Sequence, residues 1–80
     1  MFKNKNEDNT LNLCGKTVAI LRKKCNLSQR ALSEQLQLKG IDINKNAIQQ
    51  IECGKRFVTD IELKAFSKFF NVTTDKLIDN

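Results

Sequence analysis

Histidine, proline, tryptophan and tyrosine are all missing from this 80-residue chain, and glycine and cysteine occur three times each. Each absence excludes something. Without histidine there is no Ser-His-Asp or Cys-His catalytic arrangement and the commonest transition-metal ligand is gone, so enzyme chemistry starts as the weaker hypothesis and no cofactor is expected. The cysteines, Cys14, Cys25 and Cys53, form no CxxC pair and are odd in number, which argues against a zinc site and against a closed disulfide framework. The expectation is a reduced, cytoplasmic protein. No uncharged apolar run approaches the ~20 residues that span a bilayer, and the opening MFKNKNEDNT has no apolar h-region, so neither a membrane nor export is expected. Few glycines and no proline leave little for tight turns, while 40% hydrophobic residues suit a compact helical core. The length fits one small domain.

What is present is positive charge, and it is unevenly placed. Residues 1–13 balance Lys3 and Lys5 against Glu7 and Asp8. Residues 14–58 carry nine bases against three acids, net +6, and residues 59–80 carry three bases against four acids, net -1. The excess therefore belongs to the middle of the chain. A basic segment in a small domain suits a polyanion such as DNA, and it equally suits ordinary solvated surface.

Residues 1–12 are polar and Asn-rich, without apolar period, and are expected to form a flexible arm ahead of a single domain at 13–80. Cys14, Val18, Leu21 and Cys25 then recur at spacings of 4, 3 and 4, which predicts one buried face of a first helix ended by Asn26 and Leu27. Ser28 caps a second helix over about residues 29–37, with Leu32 and Leu36 as its buried edge. The stretch LKGIDI at 38–43 is a connecting loop from which Ile41 or Ile43 tucks under the domain. Asn44 caps a third helix whose apolar residues are Ala47, Ile48 and Ile51, with Lys45, Asn46, Gln49 and Gln50 on the opposite side and Gly54 as the stop. Thr59 and Glu62 make a full capping box for a fourth helix with Leu63, Phe66, Phe69 and Phe70 toward the core. Thr73 caps a last short helix returning Leu77 and Ile78 to the core.

Two short helices separated by a turn, the second rich in amides and followed by the basic residues Lys55 and Arg56, is how a helix-turn-helix is arranged. The major groove admits one helix; Asn and Gln amides pair with adenine and Lys donates to guanine, while flanking bases and amides hold phosphates and fix the register. Polar residues on an exposed helix face can also be merely solvated.

The runs GKTVAILRKKCNLSQRALSEQL, NAIQQIECGKR and VTTDKLI resemble the Cro/C1-type helix-turn-helix domain of phage and bacterial repressors, often called the Xre family. The matched elements are Leu21-Arg22, Leu27-Ser28-Gln29 and the Ile-x-x-Ile-Glu-x-Gly-Lys pattern of residues 48–55, and the resemblance covers roughly residues 14–78. It implies an all-α, compact five-helix bundle of the lambda-repressor-like DNA-binding type, with helices 2 and 3 forming the helix-turn-helix. It implies that Lys45, Asn46, Gln49 and Gln50 face base edges and that Gln29, Asn44, Lys55 and Arg56 contact phosphate. Arg22 and Glu52 are implied to pair beneath the recognition helix, residues 44–53. The turn at 38–43 is about five residues longer than a compact member would have.

The function expected on these grounds is a sequence-specific double-stranded-DNA-binding regulator, a repressor acting as a homodimer on a palindromic operator, with no small-molecule ligand. A carboxyl-terminal Phe/Leu surface is the expected dimer contact, although Phe66, Phe69 and Phe70 also suit the core. The rival is a protein-interaction module, such as an antitoxin-like or phage-encoded adaptor, using the same fold; the +6 segment counts against it.

Overall fold

A computed structural model describes residues 10–78, which form five helices: α1 (Gly15–Lys24), α2 (Gln29–Leu38), α3 (Lys45–Glu52), α4 (Asp60–Phe70) and α5 (Thr74–Ile78). Residues 1–9 of the expected arm lie outside the described residues. Residues 10–12, assigned to the same arm, are instead bonded to the body of the domain: the Leu11 N–H donates to the Gly54 carbonyl at 2.8 Å, and the Asn12 amide donates to two distant carbonyls.

A chain without proline must punctuate its helices in another way, and here the same local devices recur. Side-chain oxygens of Ser28, Asn44, Thr59 and Thr73 accept from the backbone N–H three residues on, at 2.8 to 3.1 Å, each satisfying one of the donors a helix start leaves open. The Glu62 carboxylate answers with a bond from the Thr59 N–H, completing the capping box foreseen from sequence. For α1, Cys14 precedes the helix without capping it, and Asn12 Oδ1 accepts from the Gly15 N–H at 2.7 Å.

The ends are equally uniform. After α1, α2, α3 and α4 one residue enters the left-handed region, Asn26, Gly40, Gly54 and Asn71 in turn. The N–H of the next residue reaches back five positions: Leu27 to Arg22, Ile41 to Leu36, Lys55 to Gln50, Val72 to Ser67. These are Schellman closures, which satisfy the carbonyls a helix end leaves open. Asn26 and Asn71 stand where glycine is usual because a short amide side chain tolerates that conformation best among non-glycine residues. The chain thus turns four times at fixed positions with two glycines.

All five helices contribute to the core of Cys14, Val18, Leu32, Leu36, Ile43, Ile48, Ile51, Phe66 and Leu77, each at most 1% exposed. The six-residue connection between α2 and α3 supplies Ile43, so the lengthened turn pays its entropy back in part by burying a full side chain. Two expectations fail at helix ends. Cys25 is exposed, because α1 stops at Lys24 and the left-handed Asn26 turns the chain before that face continues. Ile78 is 37% exposed beside the buried Leu77, because neighbours on a helix point about 100° apart and only one can face the core. Phe66 is buried and Phe69 and Phe70 are half-buried against each other edge to face, so the aromatics of α4 serve the core; the large exposed apolar residues are Leu13, Ile20, Leu38, Phe57, Ile61 and Ile78.

Burial pushes the Cys14 thiol up to about 11, whereas Cys25 and Cys53 are exposed. Since the thiolate is the reactive species, a disulfide reagent at pH 8 is expected to titrate two thiols in the native protein and a third only in denaturant. Three rapid native equivalents would contradict the packing of Cys14. No helix among the described residues is long and apolar enough to cross a membrane.

Candidate nucleic-acid interface

The site begins with the periodicity of α3. Ile48 and Ile51 are fully buried, and Lys45, Asn46, Gln49 and Gln50 are all exposed on an arc of about 140° on the other side. None of these four side chains is engaged in a hydrogen bond or ion pair among the described residues. One cation and three amides therefore stand free on one face, each able to donate, and the amides able to accept as well.

Beneath that face α3 is anchored to its neighbours by a charge network. Arg22 of α1 grips Glu52 with two bonds, Nε to Oε2 at 2.7 Å and Nη2 to Oε1 at 3.1 Å. Its Nη1 donates to the Leu27 carbonyl in the turn at 2.7 Å, and Gln29 Nε2 donates to Glu52 Oε1 at 3.0 Å. The Arg22 and Glu52 side chains are 11% and 8% exposed, and no buried side-chain polar atom among the described residues lacks a partner. The bond to Glu52 holds the Arg22 guanidinium above its ordinary value, so Arg22 keeps its charge. This network joins α1, the start of α2 and the end of α3, fixing the two helices of the helix-turn-helix relative to each other.

The residues expected at phosphate are divided by the structure. Lys55 is exposed on the link after α3. Asn44 is exposed with its Oδ1 committed to capping, leaving its amide N–H groups outward. Gln29, at the start of α2, has its amide nitrogen bonded to Glu52 and so acts as part of the anchoring network. Arg56 is held by Glu62 in a two-point contact, Nη1 to Oε1 and Nη2 to Oε2, both at 2.9 Å, and also donates to the Phe57 carbonyl.

The Arg56–Glu62 pair was not foreseen, because the capping box already accounted for Glu62. One carboxylate does both jobs. The Arg56 bonds hold the Glu62 carboxyl below its ordinary 4.5, burial opposing and the Thr59 N–H assisting. A carboxyl whose folded pKa is depressed contributes stability above the unfolded value, lost as pH falls through the lower folded value. Glu62→Gln keeps an oxygen for the capping box. It is expected to cost about 1 kcal/mol at neutral pH, because Arg56 is a third exposed and solvent screens the pair. It should also flatten the decline in stability below pH 4.5. Urea titrations of both proteins between pH 3 and 7 read this directly, and parallel curves would contradict it.

Asn12 is the other residue sequence reasoning missed. Its Nδ2 donates to the Ile51 carbonyl at 3.0 Å and the Arg56 carbonyl at 2.9 Å, one on α3 and one on the link. The only local signal was its place three residues before Gly15, which a cap would share.

The helix-turn-helix family matches residues 18–77 of the chain. A curated relative, the HTH-type transcriptional activator BcrR of Enterococcus faecalis, is 41% identical over 58 residues, covering 72% of this chain. The match spans only 26% of that relative's length. No solved structure matches.

Proposed function

The chain belongs to the Cro/C1-type helix-turn-helix family, and from that premise we propose that it is a sequence-specific double-stranded-DNA-binding transcription regulator that lays α3 in the major groove. The observation that carries this reading is the free, exposed set Lys45, Asn46, Gln49 and Gln50 on a helix whose other face is fully buried. A helix so anchored presents its amides and ammonium without first breaking internal bonds, so little ordering remains to be done on binding. Asn46, Gln49 and Gln50 suit adenine edges, Lys45 suits guanine, and Ala47 offers a methyl to a thymine methyl or a sugar. Lys55, Asn44 and the open amides at the start of α2 serve as the phosphate contacts that set register.

One such domain reads only a few base pairs, and binding as a two-fold pair on a palindromic operator supplies the remaining affinity and specificity. The sign of control follows from where the operator lies. Occupancy over a promoter represses by exclusion, the sense expected from sequence, whereas the relative from Enterococcus faecalis is named an activator.

Asn46→Ala is expected to cost about 1 to 3 kcal/mol on a preferred duplex and to relax base preference at one position. Lys55→Ala should weaken all duplexes alike and lower the salt slope by about one unit. Affinity measured across a salt series on preferred and random duplexes separates the two; an identical, sequence-independent loss in both variants would contradict readout by α3. The rival protein-interaction module predicts no duplex binding at micromolar protein and low salt.

A further inference from the structure

Residues 10–12 run alongside the end of α3 and the link that follows it. The Leu11 N–H bonds to the Gly54 carbonyl, and the Thr10 side chain lies over Gly54, where an added Cβ would meet its methyl group. Asn12 Nδ2 then spans the turn, donating to Ile51 before it and to Arg56 after it. A Schellman closure by itself fixes the chain only as far as Lys55, whose N–H returns to Gln50. The Asn12 amide extends that constraint to Arg56, so the orientation of the link relative to the reading helix is held from outside the helix-turn-helix, by a residue 39 and 44 positions away in sequence.

We propose that Asn12 is a positioning residue for DNA readout: by holding the Ile51 and Arg56 carbonyls together it sets the angle between α3 and the phosphate-contacting link. The inference rests on the proposed DNA-binding reading. Base contacts from α3 and a phosphate contact from Lys55 must be met at once, and a link free to swing would meet the phosphate at many registers. Held in place, the phosphate contact selects the depth at which Asn46, Gln49 and Gln50 reach the bases, as a supporting residue does for any contact surface that must be correct before binding.

Asn12 also caps α1, and two variants separate the roles. Asn12→Asp keeps an oxygen for the Gly15 N–H, where a carboxylate suits a helix start, but sets an acceptor against the two carbonyls. Asn12→Ser keeps a capping oxygen and lacks the reach to Ile51 and Arg56. In both, after correction for folded fraction, affinity for a duplex selected from a random pool is expected to fall about tenfold, the size of one lost buried hydrogen bond. Discrimination against single-base variants of that duplex should fall with it. In the free proteins, amide exchange at Lys55, whose N–H returns to the Gln50 carbonyl, should accelerate about tenfold while Ile48 and Ile51 keep their protection. A lowered melting temperature with unchanged discrimination would reduce Asn12 to a structural cap and overturn the proposal, as would unchanged exchange at Lys55. A wild-type protein that prefers no duplex would instead remove the DNA-binding reading, and with it this role in readout, while the exchange measurement still reports the clamp by itself.

Discussion

Glu52→Ala is expected to lower the stability of the domain by about 3 kcal/mol, the low end for breaking a buried ion pair, since both side chains keep about a tenth of their exposure. For a domain of this size that corresponds to a fall in melting temperature on the order of 15 °C. The loss has an identifiable source. Glu52 accepts two bonds from Arg22 and one from Gln29, and its removal leaves the Arg22 guanidinium nearly buried with only the Leu27 carbonyl as partner. A double replacement, Arg22→Met with Glu52→Leu, removes both charges and is expected to recover most of the loss, because well-packed apolar side chains commonly match a buried pair. The pair's contribution is thus one of arrangement: it fixes α3 against α1 and the start of α2. Thermal unfolding of the three variants checks the argument, and an unchanged melting temperature in Glu52→Ala would contradict it.

Gly15→Ala reverses the usual sign of a helix substitution. Alanine inside a helix is ordinarily favoured over glycine by up to about 1 kcal/mol. Here the added Cβ would fall well inside contact distance of the Ile51 carbonyl oxygen and 2.9 Å from Asn12 Oδ1. The first obstacle is backbone of α3 itself, which cannot rotate away as a side chain can. Overpacking of this kind costs about 1 to 3 kcal/mol, and displacement of Ile51 also breaks its bond from Asn12. We expect a net loss of about 3 kcal/mol. Gly40→Ala is the control: its φ of +83° makes alanine strained, but no atom lies within 4 Å of the added Cβ, so the cost is limited to about 1 kcal/mol of left-handed backbone. Urea titrations should rank the two in that order, and a stabilised Gly15→Ala would show that α1 and α3 do not approach as described.

What was legible in the sequence follows from how far each interaction reaches. Caps at Ser28, Asn44, Thr59 and Thr73 bond three residues ahead, so the residue type and its place before an apolar run were enough to find them. The free face of α3 was legible for the same reason, through its 3.6-residue period. The Arg22–Glu52 pair came from the resemblance to a known family, since nothing local ties residues 30 apart. Periodicity misled where a helix stops: it carried the buried face of α1 on to Cys25 and that of α5 on to Ile78. Asn12 was hidden most completely, because the polar, Asn-rich composition of its surroundings suits an arm, and the carbonyls that hold it come from the far side of the domain.

Sequence reading by α3 is put to the test by selection from a random duplex pool with the wild-type protein. An enriched inverted repeat is expected, each half a few base pairs read by α3, with half-site centres about 10 base pairs or a multiple apart. Positions read by Asn46, Gln49 and Gln50 should be dominated by adenine. A pool that retains the protein at low salt but returns no enriched sequence, or retains none of it at micromolar concentration, would contradict sequence reading by this helix.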